Sequence, residues 1–147
     1  GKPFPALPAQ QKAMIQNPKT ATGRIARGRW LWMQGDAVAA EADFRRALQE
    51  TRRMGQTYRM TLAGEALIEL LLQRDDAEAA RVVLEDLRAH QPTHIDRDYR
   101  SSVMDLRVAL ALGDTARIRT AHARVQALAG ERRLPADVAR MLRDAKG

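Results

Sequence analysis

Glu65 and Glu69 lie four residues apart, one helical turn, so they share a face. Paired carboxylates can divide the work of general acid and general base. Nothing around them supplies a nucleophile or a glycine-rich phosphate cradle, and no G-x-S-x-G, P-loop or H-E-x-x-H string occurs. The plainer reading is a charge pair facing Arg29 or Arg107. A second constellation, His90, His94, Asp96 and Asp98, spells H-x3-H-x-D-x-D, four potential metal ligands in nine residues. Pro92 interrupts the helical turn that would align the two histidines, and Asp96 and Asp98 suit the capping of a following helix better. His122 is expected to be a neutral core histidine. Cysteine is absent, which excludes disulfides, thiolate zinc sites and cysteine nucleophiles. The residues thus predict no catalytic centre, no metal site and no cofactor.

Two further features suit binding. Arg45, Arg46, Arg52, Arg53 and Arg59 form the densest basic patch of a chain that carries net charge +7, with 21 of its 25 basic residues Arg. Such a patch could meet a polyanion. However, Arg occurs on nearly every predicted helix mixed with Asp and Glu, which reads first as a solvated surface. Trp30 and Trp32, two residues apart on a predicted helix, point to nearly opposite sides. One of them must leave the core, and an exposed Trp is a frequent binding anchor; Trp32 is assigned that role.

The elements that would position these residues are helical. The 147 residues can bury one continuous core. Aromatics make up 4% of the chain, so Leu, Ala, Val, Ile and Met must fill it, and Ala and Leu favour helix. No stretch approaches the ~20 apolar residues of a membrane span, so no membrane insertion is predicted. Gly1 in place of Met, with Pro3, Pro5, Pro8 and Pro18, reads 1–19 as a linker following an upstream part of a longer protein. A short helix at Ala9–Gln16 within it is open.

Three junctions repeat: Gln34-Gly35-Asp36-Ala37, Arg74-Asp75-Asp76-Ala77 and Leu112-Gly113-Asp114-Thr115. Gly35, Asp75 and Gly113 are 40 and 38 residues apart. Gly takes the left-handed conformation that ends one helix, and the next Asp or Thr caps the following one. Asp75 stands where Gly stands elsewhere, and Asp tolerates that conformation better than most residues. The pattern predicts a helical domain over 20–147 with hairpins at about 20–53, 57–90 and 96–129. Their helices run 20–34 and 36–53, 57–74 and 76–90, and 96–112 and 114–129. A last helix at 136–145 opens at Pro135 and closes the end of the stack, so 135–145 is the cap. One-face stripes are expected at Ala40, Phe44, Ala47 and Leu48, at Ala80, Val83, Leu84 and Leu87, and at Ile118, His122, Val125 and Leu128. Leu62 to Leu72 is apolar around most of its circumference.

These residues resemble tetratricopeptide repeats. The first hairpin carries the resemblance best, with Gly28 at the helix crossing, Gly35 at the turn, then Ala40-x3-Phe44 and Ala47. The second keeps Ala80 with Leu84 in the aromatic's place, and the third has Ile118 and His122. The period of 38–40 exceeds the family's ~34 and is similar to the helical-repeat regions of bacterial transcription regulators and kinases. The resemblance implies an all-α, right-handed α-solenoid of three antiparallel helix pairs plus the C-terminal capping helix. It also implies a scaffold or sensor that binds a peptide or helix in a concave groove. By position, that groove would be lined by Arg29, Trp32, Met33, Glu65, Glu69, Gln73, Arg100, Val103 and Arg107, with Ile25, Leu62 and Leu110 beside them. The expected partners are another protein, the chain's own upstream domain or a second copy. Nucleic acid at the Arg45–Arg59 patch is the alternative. A bacterial regulatory protein of this kind would be cytoplasmic, with the periplasm left open.

Overall fold

The computed structural model describes residues 8–146. The prolines at positions 3 and 5, and the start of the stretch read as a linker, lie outside the described residues. Among the described residues the fold is all-α and holds nine helices: α1 (Ala9–Gln16), α2 (Ala21–Met33), α3 (Ala37–Arg53), α4 (Thr57–Gln73), α5 (Ala77–His90), α6 (His94–Arg97), α7 (Tyr99–Leu112), α8 (Thr115–Ala129) and α9 (Ala136–Lys146). No helix among them is long and apolar enough to cross a membrane. The chain divides into two compact units, residues 1–70 and 71–147.

In the first unit α2 and α3 form a tight hairpin. Thr20 opens α2 by accepting a hydrogen bond from the Gly23 amide at 3.1 Å. Gly35, at φ 88°, closes it. The Asp36 amide then donates back to the Leu31 carbonyl at 2.9 Å, and the Asp36 carboxylate accepts from the Ala39 amide at 3.1 Å to start α3. Ala40, Phe44, Ala47 and Leu48 are buried together, the period-3.6 stripe expected of α3. Gly28 lies under the Phe44 ring, where a Cβ would stand 2.5 Å from Cε1. The hairpin is also tied electrostatically. Arg27 Nε and Nη2 donate to the buried Asp43 carboxylate at 2.7 and 2.6 Å. That hydrogen-bonded pair raises the Arg27 pKa above its ordinary value and keeps it charged. Glu50 accepts from Arg24 at 3.0 Å and from Arg46 at 3.1 Å.

Helix α1 rests against α2, burying Ile15. A Cβ at Gly23 would stand 3.0 Å from Met14 Cγ and 3.1 Å from Pro18 Cβ, so the two segments approach closely here as well. The open helix at Ala9–Gln16 is therefore formed. In α4, Met60, Ala63, Ala66, Leu67, Ile68 and Leu70 are all buried, which fits its near-continuous apolar sequence.

The second unit repeats the same turn twice. Asp75 holds φ 57° and is the one non-glycine with positive φ among the described residues. The Asp76 amide donates to the Leu71 carbonyl at 2.9 Å, and its carboxylate caps α5 at the Ala79 amide. Gly113, at φ 68°, ends α7, and Asp114 caps α8 at the Arg117 amide. Ala80, Val83, Leu84 and Leu87 are buried as the α5 stripe.

Two expectations need correction here. The single helix predicted over 96–112 is two. Asp98 is extended, at φ −105° and ψ 126°, and accepts from the Ser101 amide at 2.9 Å, so α7 begins at Tyr99 behind the one-turn α6. A buried Ile95 anchors α6, and its carbonyl accepts from Ser102 Oγ at 2.6 Å. The buried positions of α8 are Ala121 and Val125, while Ile118, His122 and Leu128 stay half-buried. His122 is therefore no core histidine. Helix α9 sinks Val138 and Leu142 into the core formed with Val103, Leu106, Ala121 and Val125.

Candidate interaction surfaces

The predicted groove residues fall in both units. In residues 1–70, Arg29 and Glu69 approach to 3.6 Å with both side chains about half exposed. This is the Arg29–carboxylate pair the sequence suggested. Glu65 is half-buried one turn before Glu69. Trp32 is half-buried, its ring edge-on to Phe44 with centroids 6.4 Å apart and planes at 77°. That contact fixes the indole against the Gly28–Phe44 crossing and leaves part of it in solvent. Beside it, at the C-terminal end of α2, Met33 is 77% exposed, and across the turn Val38 is 72% exposed.

In residues 71–147 the assignment fails at one position. Val103 is buried in the core with Leu106, Val125 and Val138 and lines no open surface. The reason is register: Val103 and Leu106 are three apart on α7 and share its core-facing side. Arg107 is half-buried and paired with Asp137, which ties α7 to α9. Gln73 and Arg100 are exposed.

The basic patch divides as well. Arg45 is paired with Glu41 at 2.8 Å and Arg46 with Glu50 at 3.1 Å, each within α3. These are one-turn surface pairs that neutralise both guanidiniums. Arg52, Arg53 and Arg59 gather instead at the α3–α4 turn, around Gly55 at φ 68°. Met54 and Tyr58 are 62% and 73% exposed there. Arg53 and Arg59 make no ion pair among the described residues, and no Asp or Glu lies between Thr51 and Gly64.

Three of the four candidate metal ligands are otherwise engaged. His90 Nδ1 sits 2.9 Å from the Asp86 carbonyl, Asp98 caps α7, and Asp96 pairs with Arg88 at 2.7 Å and with Arg124 at 3.2 Å. The expected cap is thus made by Asp98 alone. No group of three His, Asp or Glu suited to a metal occurs among the described residues.

Two features escaped the sequence reading. Asp105 is buried in α7, with Arg88 of α5 at 3.3 Å and Arg124 of α8 at 3.4 Å, while its Oδ1 has no hydrogen-bond partner. Burial pushes its pKa up, and Asp96 adds to that, against the attraction of Arg88, Arg117 and Arg124. The signal was a lone carboxylate inside the apolar run Val103-Met104-Asp105-Leu106. The other is a cleft of about 820 Å³ between α8 and α9, with His122 in its wall. Comparison with family models, with curated proteins and with solved structures finds no match.

Proposed function

We propose that the chain is a protein-interaction module of the tetratricopeptide-like kind, a scaffold or sensor part of a larger bacterial regulatory protein. Its binding surface is centred on Trp32 and Met33. The observation that carries this reading is the end of the α2–α3 hairpin, where a Trp braced on Phe44 is followed by a largely exposed Met33, with Val38 largely exposed across the turn. Aromatics, Met and Arg are the residues enriched at interfaces, and an immobilised aromatic loses little entropy on binding. The Arg29–Glu69 pair gives that apolar patch a polar border. The repeated turns at Gly35, Asp75 and Gly113, each followed by a capping Asp, support the helical-repeat reading. A solenoid of three helix pairs closed by α9 is the arrangement we infer from them. We infer no catalytic role.

The test is capture of partners by the full chain against the variants Met33→Glu and Trp32→Ala, with light scattering to detect self-association. A partner, or a second copy, held by the parent chain and lost by Met33→Glu at unchanged melting temperature is the expected result. Partners retained by both variants would refute the site.

The alternative reading, nucleic-acid binding, is favoured by one observation: the α3–α4 turn carries an exposed Tyr58 with Arg52, Arg53 and Arg59, in a stretch, 52–63, that contains no Asp or Glu. A base can stack on Tyr while Arg meets phosphate. Affinity for a single-stranded oligonucleotide that falls steeply with salt, and is lost in Arg53→Glu/Arg59→Glu, would select this reading over the first.

A further inference from the structure

The cleft in the 71–147 unit exists because of how α9 is held. Val138 and Leu142 are sunk in the core, Asp137 is paired with Arg107 of α7, and α9 packs along α7. The side of α8 that carries Ile118 and His122 is left uncovered opposite the C-terminal half of α9, and the space between measures about 820 Å³. That lies within the ~300–1,000 Å³ of small-molecule sites.

The floor of the cleft is apolar. Leu110, Ile118 and Met141 are half-buried there, so each still shows apolar surface to water, and Leu142 lies beneath them. Its polar walls are Thr115, Arg119, His122, Gln126, Asp144 and Lys146. Five of these six side chains can donate hydrogen bonds, two of them as cations, and Asp144 alone is a carboxylate. Arg119 and Lys146 make no ion pair among the described residues. A cationic guest would be repelled by that pair, and a neutral apolar guest would bury the floor while leaving the donors without acceptors.

We propose that this cleft binds a small organic monoanion with an apolar body, an apolar monocarboxylate. The body lies on Leu110, Ile118 and Met141, and the carboxylate is met by Arg119, with Lys146 adding charge. A guanidinium can grip a carboxylate with two parallel hydrogen bonds, which fixes the orientation of the guest. The assignment is independent of the protein-binding surface proposed for residues 1–70 and goes beyond it.

Calorimetric titration of the full chain with dodecanoate, kept below its micelle concentration, tests this. Saturable one-to-one binding is expected. Dodecyltrimethylammonium, with the same chain length and the opposite charge, is expected to bind at least about tenfold more weakly. Arg119→Glu, a reversal at an exposed side chain, should weaken dodecanoate by about tenfold or more at an unchanged melting temperature. Ala123→Trp, which fills the cleft from an exposed position on α8, should abolish binding. No saturable heat with dodecanoate, equal binding of the two amphiphiles, or an Arg119→Glu chain that titrates like the parent would each overturn the proposal. The comparison of amphiphiles needs no variant at all.

Discussion

Gly28 and Phe44 are fitted to each other: the ring occupies the space in which any side chain at position 28 would begin, with Cε1 at 2.5 Å and Cδ1 at 2.8 Å from an ideal Cβ. A glycine in a helix interior ordinarily costs about 1 kcal/mol relative to Ala. Here that cost is offset by the close approach of α2 and α3. Gly28→Ala is therefore expected to destabilise the chain by about 1–3 kcal/mol, the overpacking penalty, despite its better helix propensity. Phe44→Leu in the same chain should recover part of the loss, because a shorter side chain vacates the clash. Urea denaturation of the two single variants and the double variant reads the coupling.

The Arg27–Asp43 pair gives a second test. Asp43 is buried and both its oxygens accept from one guanidinium. Arg27→Met strands the carboxylate and is expected to cost about 3 kcal/mol, whereas Arg27→Met with Asp43→Leu should restore most of it. Equal stability of Arg27→Met and the parent in denaturant would show that the carboxylate finds water instead.

Asp75 carries a left-handed backbone at φ 57° where the two sister turns use Gly. Asp75→Gly relieves that strain and should stabilise the chain by about 0.5–1 kcal/mol. Gly35→Ala and Gly113→Ala should destabilise it by about 1 kcal/mol each. Thermal melting of the three variants decides, and opposite signs at equivalent positions are the expected signature.

Asp105 sets a pH dependence whose sign is unusual for a carboxylate. Its native pKa is raised by burial, so protonation favours the folded state. Its stabilising contribution is complete below the ordinary Asp value of about 3.9 and is lost as pH rises through the higher native value. Asp105→Asn should therefore be more stable than the parent at pH 7, with the gap closing as the pH falls. Asp96 still partners Arg88 and Arg124 in that variant, so neither guanidinium is stranded. Melting temperatures measured from pH 3 to pH 8 would show the two curves converging at the acid end.

What could be read from the sequence was what is local. Gly35, Asp75 and Gly113 announce their turns because each is followed at once by the Asp whose carboxylate caps the next helix, and all three turns form as read. The buried stripes of α3 and α5 are likewise a matter of period alone. Positions decided by neighbours far along the chain were not legible. Val103 looked available on one helix drawn by itself, yet α8 and α9 cover it. His122 sits in the slot that Phe44 fills in the first hairpin, but the buried side of α8 runs through Ala121 and Val125. The pairing of Arg27 with Asp43, and of Asp105 with two arginines, depends on which helices cross and where, and no spacing encodes it.

The three capped turns also bear on how the chain comes to be folded. Each is closed by backbone hydrogen bonds spanning no more than five residues, from Asp36 to Leu31, from Asp76 to Leu71 and from Asp114 to Ala109. Closing so short a span gives up little chain entropy and needs no distant segment to be present. The α2–α3 corner, with Gly28 seated beneath Phe44, draws on no residue beyond α3 and can close without any later helix. Corners of this kind form in the order of translation, while the core side of α7, at Val103 and Leu106, waits for α8 and α9 to cover it.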